Sequence, residues 1–128
     1  MTVGFTGTRQ GMNAAQRQQL RYVLALFRHA DIAINQDTGF VDGDCPAGGA
    51  DQEARTIASE LGLYATTEPP VGRTAKALLE RNRRIVERCS VLIVAPRTDQ
   101  EELRSGTWAT VRYARKRGIS VVMLSRGE

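Results

Sequence analysis

Few residues of this chain suit metal or nucleophilic chemistry. Among 128 residues there are two cysteines, one histidine and one tryptophan, and aromatics make up 5%. Cys45 and Cys89 are far apart with no CxxC spacing, which excludes a zinc ribbon or a disulfide framework; both are expected as buried thiols. The lone His29, near a helix end, is expected at the surface beside the helix dipole. No Ser-His-Asp or Cys-His constellation can be assembled, and no Walker or GxGxxG motif is present. No cofactor and no metal are therefore expected. No apolar run approaches the ~18 residues of a membrane span, and no charged-then-apolar leader pattern opens the chain. The expectation is a cytoplasmic protein with no membrane partner. Repeats and low-complexity tracts are also missing, so residues 1–128 are expected to form one domain.

What is present centres on one stretch. Ser90-Val91-Leu92-Ile93-Val94-Ala95-Pro96 is a continuous apolar run closed by proline, the signature of a strand buried on both faces. A polar loop follows, and then Arg104-Ser105-Gly106-Thr107 opens an amphipathic stretch through Ala114. A helix start of this kind leaves backbone N–H groups free and carries about half a positive charge, which suits a phosphate or carboxylate. The formal net charge of +4 agrees with an anionic ligand and does not demand nucleic acid.

Strand-like and helix-like segments alternate along the chain. Strands are expected over Thr2–Thr6, Gly39–Asp42, Leu63–Thr67, Val91–Ala95 and Ile119–Leu124. Helices are expected from an Asn13 cap to about Ala30, from Gly48-Gly49-Ala50-Asp51 to Gly62, from Thr74 to Cys89, and from Gly106 to Arg117. Leu20, Val23, Leu24 and Phe27 give the first helix one core face. Ala75, Leu78, Leu79, Ile85, Val86 and Cys89 form the stripe of the third, with Asn82 in its middle. The alternation predicts an α/β fold: a Rossmann-like three-layer sandwich with a five-stranded, mainly parallel sheet in order 3-2-1-4-5 and helices on both faces. In such sheets the ligand crevice lies at the C-terminal strand ends where the order reverses, here between the first and fourth strands.

That crevice would gather specific residues. Gly7-Thr8-Arg9 offers close backbone approach, a hydroxyl and a planar cationic fork, or else is a plain tight turn. Gly43, Asp44 and Gly49 suit a backbone nest for an anion; Asp51 caps the next helix or holds a ribose hydroxyl. In Arg81-Asn82-Arg83-Arg84, Arg83 reads as a solvated face, as does Arg88, while Arg81 and Asn82 can reach the crevice. Pro96 and Ser105-Gly106-Thr107 complete the candidate set. Trp108 and Arg112 fall on the helix flank, where surface stacking or a dimer contact is expected, and Thr110 falls on the inward side.

At these residues the chain resembles the SLOG superfamily, in its YpsA-related branch. The matching segments are Gly7-Thr8-Arg9, Gly43-Asp44-Cys45-Pro46 with Gly49-Ala50-Asp51, Leu79 through Val86, and Arg104 through Lys116. The resemblance implies a Rossmann-like fold that binds nucleotides or nucleotide-derived signals, and it implies pairing into a homodimer. The Lonely Guy phosphoribohydrolases of the same superfamily match less well. Their R-K helix motif falls on Arg81-Asn82 and their glycine motif on Pro96 and Gly106-Thr107. Their catalytic glutamate falls on Thr110, which cannot act as a carboxylate base. The branch's usual histidine is Asp42 here, and Arg97–Arg104 replaces a compact turn. Glu102, Asp44 or Asp51 could supply a carboxylate instead.

Three functions follow as expectations. The first is binding, and possible sensing, of a nucleotide-derived small molecule, with Arg9 and Arg81 as counter-charges. The second is cleavage of the N-glycosidic bond of a nucleoside 5′-monophosphate, with Arg81 the candidate catalytic group. The third, nucleic-acid binding through Arg73–Arg88 and Arg112–Arg117, ranks last because Glu80, Glu87, Glu101 and Glu102 balance those arginines.

Overall fold

A computed structural model describes residues 1–45 and 49–127, so Pro46 and Gly48 of the second glycine segment lie outside the described residues. The elements are β1 (Thr2–Gly7), α1 (Ala14–Ala33), β2 (Gly39–Asp42), α2 (Ala50–Glu60), β3 (Tyr64–Thr67), α3 (Ala75–Arg88), β4 (Val91–Ala95), α4 (Gly106–Lys116) and β5 (Ser120–Met123). Every strand pair is parallel and the sheet order is β3-β2-β1-β4-β5, as the alternation predicts.

Two cores flank the sheet. Val3 and Phe5 of β1, Phe40 of β2 and Ile93 of β4 pack with Leu20 and Leu24 of α1 and with Ala54 and Ile57 of α2. On the opposite face Leu92 and Val94 of β4 meet Ile85 and Val86 of α3 and Val111 and Ala114 of α4. Side chains alternate across a strand, so a strand covered on both sides must be apolar at every position; all five residues of β4 are buried. Gly4 lets α3 press onto β1, since a Cβ there would sit 2.8 Å from Cys89 Sγ. The Asn13 cap forms with a reciprocal Gln16 contact. Gln16 itself is fully buried and donates to the carbonyls of Pro96 (3.0 Å) and Leu124 (3.1 Å), which ties α1 to the ends of β4 and β5.

Several local expectations need correction. Helix α1 continues to Ala33 rather than stopping near Ala30. Trp108 is buried, not exposed: Val111 lies one turn along from it on the same face, and both join the α3–α4 core. The dimer contact expected at Trp108 loses that ground. In α3 the buried residues are Ala77, Arg81, Ile85 and Val86, whereas Ala75 and Leu79 are exposed. The N-terminal half of that helix overhangs open space instead of the sheet, so its apolar stripe leaves the core halfway along. Cys89 is buried as expected, but Cys45 is only half-buried. Among the described residues no helix is long and apolar enough to cross a membrane.

Candidate functional site

The overhang of α3 defines a crevice of about 920 Å³ at the C-terminal ends of β1 and β4. Its floor comes from the β1–α1 turn (Gly7, Thr8, Arg9), one side from the segment after β2 (Gly43, Cys45) with Asp51 of α2, and the other from Ser105, Gly106 and Thr107 at the start of α4. Ala75, Leu78, Leu79, Arg81 and Asn82 of α3 form the roof. Gly7 and Gly106, in separate loops, thus open on the same space. That size suits a ligand as large as a nucleotide.

Local bonding explains the shape. Thr8 N–H donates to the Ala95 carbonyl (3.0 Å), and the Thr8 carbonyl accepts from Gly11 N (3.2 Å) and Ala50 N (3.1 Å). The β1 turn is thereby fastened to β4 and to the start of α2. Gly49 has φ 70°, and a Cβ on it would lie 2.5 Å from the Arg9 carbonyl oxygen, so no other residue allows that approach. The Ser105 hydroxyl caps α4 by accepting from Trp108 N (3.3 Å). The N–H groups of Gly106 and Thr107 have no acceptor among the described residues and face the crevice end of the helix, where the helix field favours an anion.

Arg81 is the electrostatic centre. Its residue is only 7% exposed. Nη1 donates to the Gly43 carbonyl and Nε donates to Asn82 Oδ1 (2.8 Å). No carboxylate lies within ion-pair distance of it among the described residues, in contrast to Arg55, Arg84 and Arg88. A Cβ on Gly43 would come within 2.3 Å of Nη1, so the glycine is the space the guanidinium occupies. A desolvated cation with no carboxylate at ion-pair distance, and only the longer-range attraction of Asp51, is costly unless a ligand supplies an anion.

The acidic residues divide into two roles. Asp42 is fully buried and takes a bidentate contact from Arg55, at 3.0 and 2.8 Å, and accepts from Asp44 N at 2.7 Å. Asp44 also pairs with Arg55 (2.9 Å) and does not line the crevice. These contacts hold the Arg55 guanidinium firmly protonated, its side-chain bonds to Asp42 first among the causes. Asp51 receives one long donor, Cys45 N at 3.3 Å, and lines the crevice. Burial above all, and then repulsion from Asp42, push its carboxyl up from 3.8 to about 6.

Of the predicted site residues, Gly7, Thr8, Arg9, Gly43, Asp51, Arg81, Asn82, Ser105, Gly106 and Thr107 share the crevice wall. Asp44, Gly49 and Pro96 do not: the first serves Arg55, the second packs on Arg9, and the third turns its carbonyl to Gln16 and Arg126. Thr110 is buried and its hydroxyl donates to the Gly106 carbonyl (2.8 Å), so it brings no group into the crevice. Sequence reasoning did not single out Arg55, although its i+4 spacing from Asp51 and the nearby Asp42–Asp44 pair signal it. It also missed Leu103, 86% exposed at the crevice rim. The loop carrying Leu103 is braced by an Arg97–Glu102 pair and by Arg112, which donates to Glu101 (2.8 Å) and to the Leu103 carbonyl (3.1 Å).

No protein-family model matches the chain. No curated protein matches it either. Among solved structures, DNA processing protein A (DprA) from Streptococcus pneumoniae is similar, with a TM-score of 0.68 over 95% of this chain at 18% sequence identity. The chain spans 49% of the length of that protein. A likeness at this identity speaks for architecture, and with the strand order above it gives the conclusion: the chain has the Rossmann-like α/β fold found in the matched part of DprA.

Proposed function

We propose that the chain binds a nucleotide or nucleotide-derived phosphate ester in this crevice, as a binding domain of SLOG type. The observation that carries the reading is Arg81: a guanidinium sunk in the crevice wall with no carboxylate partner among the described residues. The phosphate sits on the N–H groups of Gly106 and Thr107 with Arg9 and Arg81 as counter-charges. The exposed apolar side chains of Ala75, Leu79 and Leu103 give a flat base something to lie against. The ordered resemblance to the SLOG superfamily supports this, and so does a fold shared with a protein named for DNA processing.

Thr110 occupies the position of the Lonely Guy glutamate without a carboxylate, which favours binding over glycosidic cleavage. Two basic faces are largely spent on internal contacts: Arg84 and Arg88 both pair with Glu68 at 2.9 Å, and Arg83 and Arg117 stack on Tyr113. That favours a small ligand over a long nucleic acid. Calorimetric titration with a panel of nucleoside monophosphates tests the assignment. The expected result is micromolar binding by at least one member, a much weaker signal from the corresponding nucleoside, and monophosphate recovered intact. No heat from any member contradicts it.

A further inference from the structure

We propose that Asp51 is the proton-carrying contact of the crevice: it meets the uncharged, hydroxyl-bearing end of the ligand and takes up a proton as the anion binds. This rests on the binding reading above and adds a direction and a proton balance to it. The crevice lining includes Arg9 and the open start of α4, with Glu102 of the preceding loop held by Arg97, and, beside the segment after β2, Asp51 together with Arg81, which is bonded to Gly43 there.

The charges around Asp51 are few and can be enumerated. Asp42 from β2 raises its proton affinity; Arg81 from α3 and Arg55 from α2 lower it, as does the Cys45 N–H. Arg55 is already held by two oxygens of Asp42 and one of Asp44. Arg81 spends its described bonds on Gly43 and Asn82. Glu53, the other acid in the first turn of α2, is turned to Met12 N (2.7 Å) and Arg17 (3.1 Å). Asp51 is thus the one carboxyl of the Asp42–Asp44–Asp51 group that no arginine clamps.

Two consequences follow for a phosphate ester. Its anionic end is repelled from Asp51 and drawn to α4, while sugar hydroxyls can donate to the carboxylate or accept from the acid. An added negative charge and the loss of crevice water both favour the protonated form, so binding draws a proton from solvent. Each unit by which the bound carboxyl exceeds the free one weakens ligand affinity about tenfold as pH rises through the titration.

The test is 13C NMR titration of the aspartate carboxyls in the full chain, with adenosine 5′-monophosphate as the probe. In the free chain Asp51 is expected to titrate near 6, and saturating probe is expected to move it upward by about half a unit or more. Asp51→Asn identifies the resonance. It also flattens the pH dependence of affinity between about pH 5 and pH 8, leaving only the phosphate's own ionisation. Probe binding that leaves the Asp51 titration unmoved overturns this proposal alone. A probe that perturbs no resonance at any pH, with every other nucleoside monophosphate of the panel equally silent, overturns the binding reading and this proposal with it.

Discussion

Replacing Arg81 with methionine is expected to weaken nucleoside monophosphate binding by about 100-fold or more while changing folding stability by no more than about 1 kcal/mol. The two halves of that expectation have one cause. In the free protein the guanidinium is desolvated but pairs with no carboxylate, so the fold bears its burial cost. Methionine fills a similar volume, removes that cost, and forfeits the contact to the Gly43 carbonyl, which is worth about 1–2 kcal/mol. With ligand bound, the same change deletes the charge that meets the phosphate, a loss of about 3 kcal/mol or more. Denaturant unfolding and calorimetry on the same preparations check both halves. A strongly destabilised variant would mean that Arg81 is a structural residue.

Asp51→Asn is expected to stabilise the protein at neutral pH by up to about 3 kcal/mol and to leave it unchanged near pH 4. The sign follows from proton binding. The folded state holds the Asp51 proton up to about 6, whereas the ordinary value for an aspartate is 3.8. Between those values the folded state binds more protons than the unfolded one, so this group's contribution is full below about 4 and is lost as pH rises through 6. Asparagine keeps an acceptor for the Cys45 N–H and has no charge to bury. Glu68 works in the opposite sense. Its bonds from Arg88 and Arg84 hold its carboxyl below the usual range, and its contribution is lost as the solution becomes more acidic. The difference between wild type and Asp51→Asn cancels Glu68, so chemical denaturation of both proteins across pH isolates Asp51. A constant difference from pH 4 to 8 would contradict the assigned environment. Stability given up at a crevice residue is the usual mark of a site shaped by binding rather than by folding.

The fold was legible in the sequence because periodicity reports burial. The unbroken apolar run Val91–Ala95, short and closed by Pro96, fits a strand covered on both sides, and the strand–helix alternation leaves few topologies. Trp108 departs from its expected place on the helix flank because the residue that shares its face is Val111, i+3 away and buried, rather than Arg112, i+4 away. The stripe on α3 illustrates a subtler limit. Its apolar residues do share one face, but the sequence cannot tell whether that face meets the sheet or an opening; Ile85 meets the sheet, and Leu79 meets the crevice. Arg81, Asn82 and the glycine turns were visible through residue type and topology. Arg55 and the isolation of Asp51 were not, since both depend on which carboxylate an arginine reaches across the α2–β2 junction.

Two segments from different parts of the chain are expected to hold one anion between them. Backbone amide chemical-shift mapping during titration with adenosine 5′-monophosphate tests this most directly. The expected result is that the largest perturbations fall together on Gly7, Thr8 and Arg9 and on Ser105, Gly106 and Thr107, saturating at a single affinity. Perturbations confined to one of these loops, or concentrated on the outer faces of α1 and α2, would contradict it.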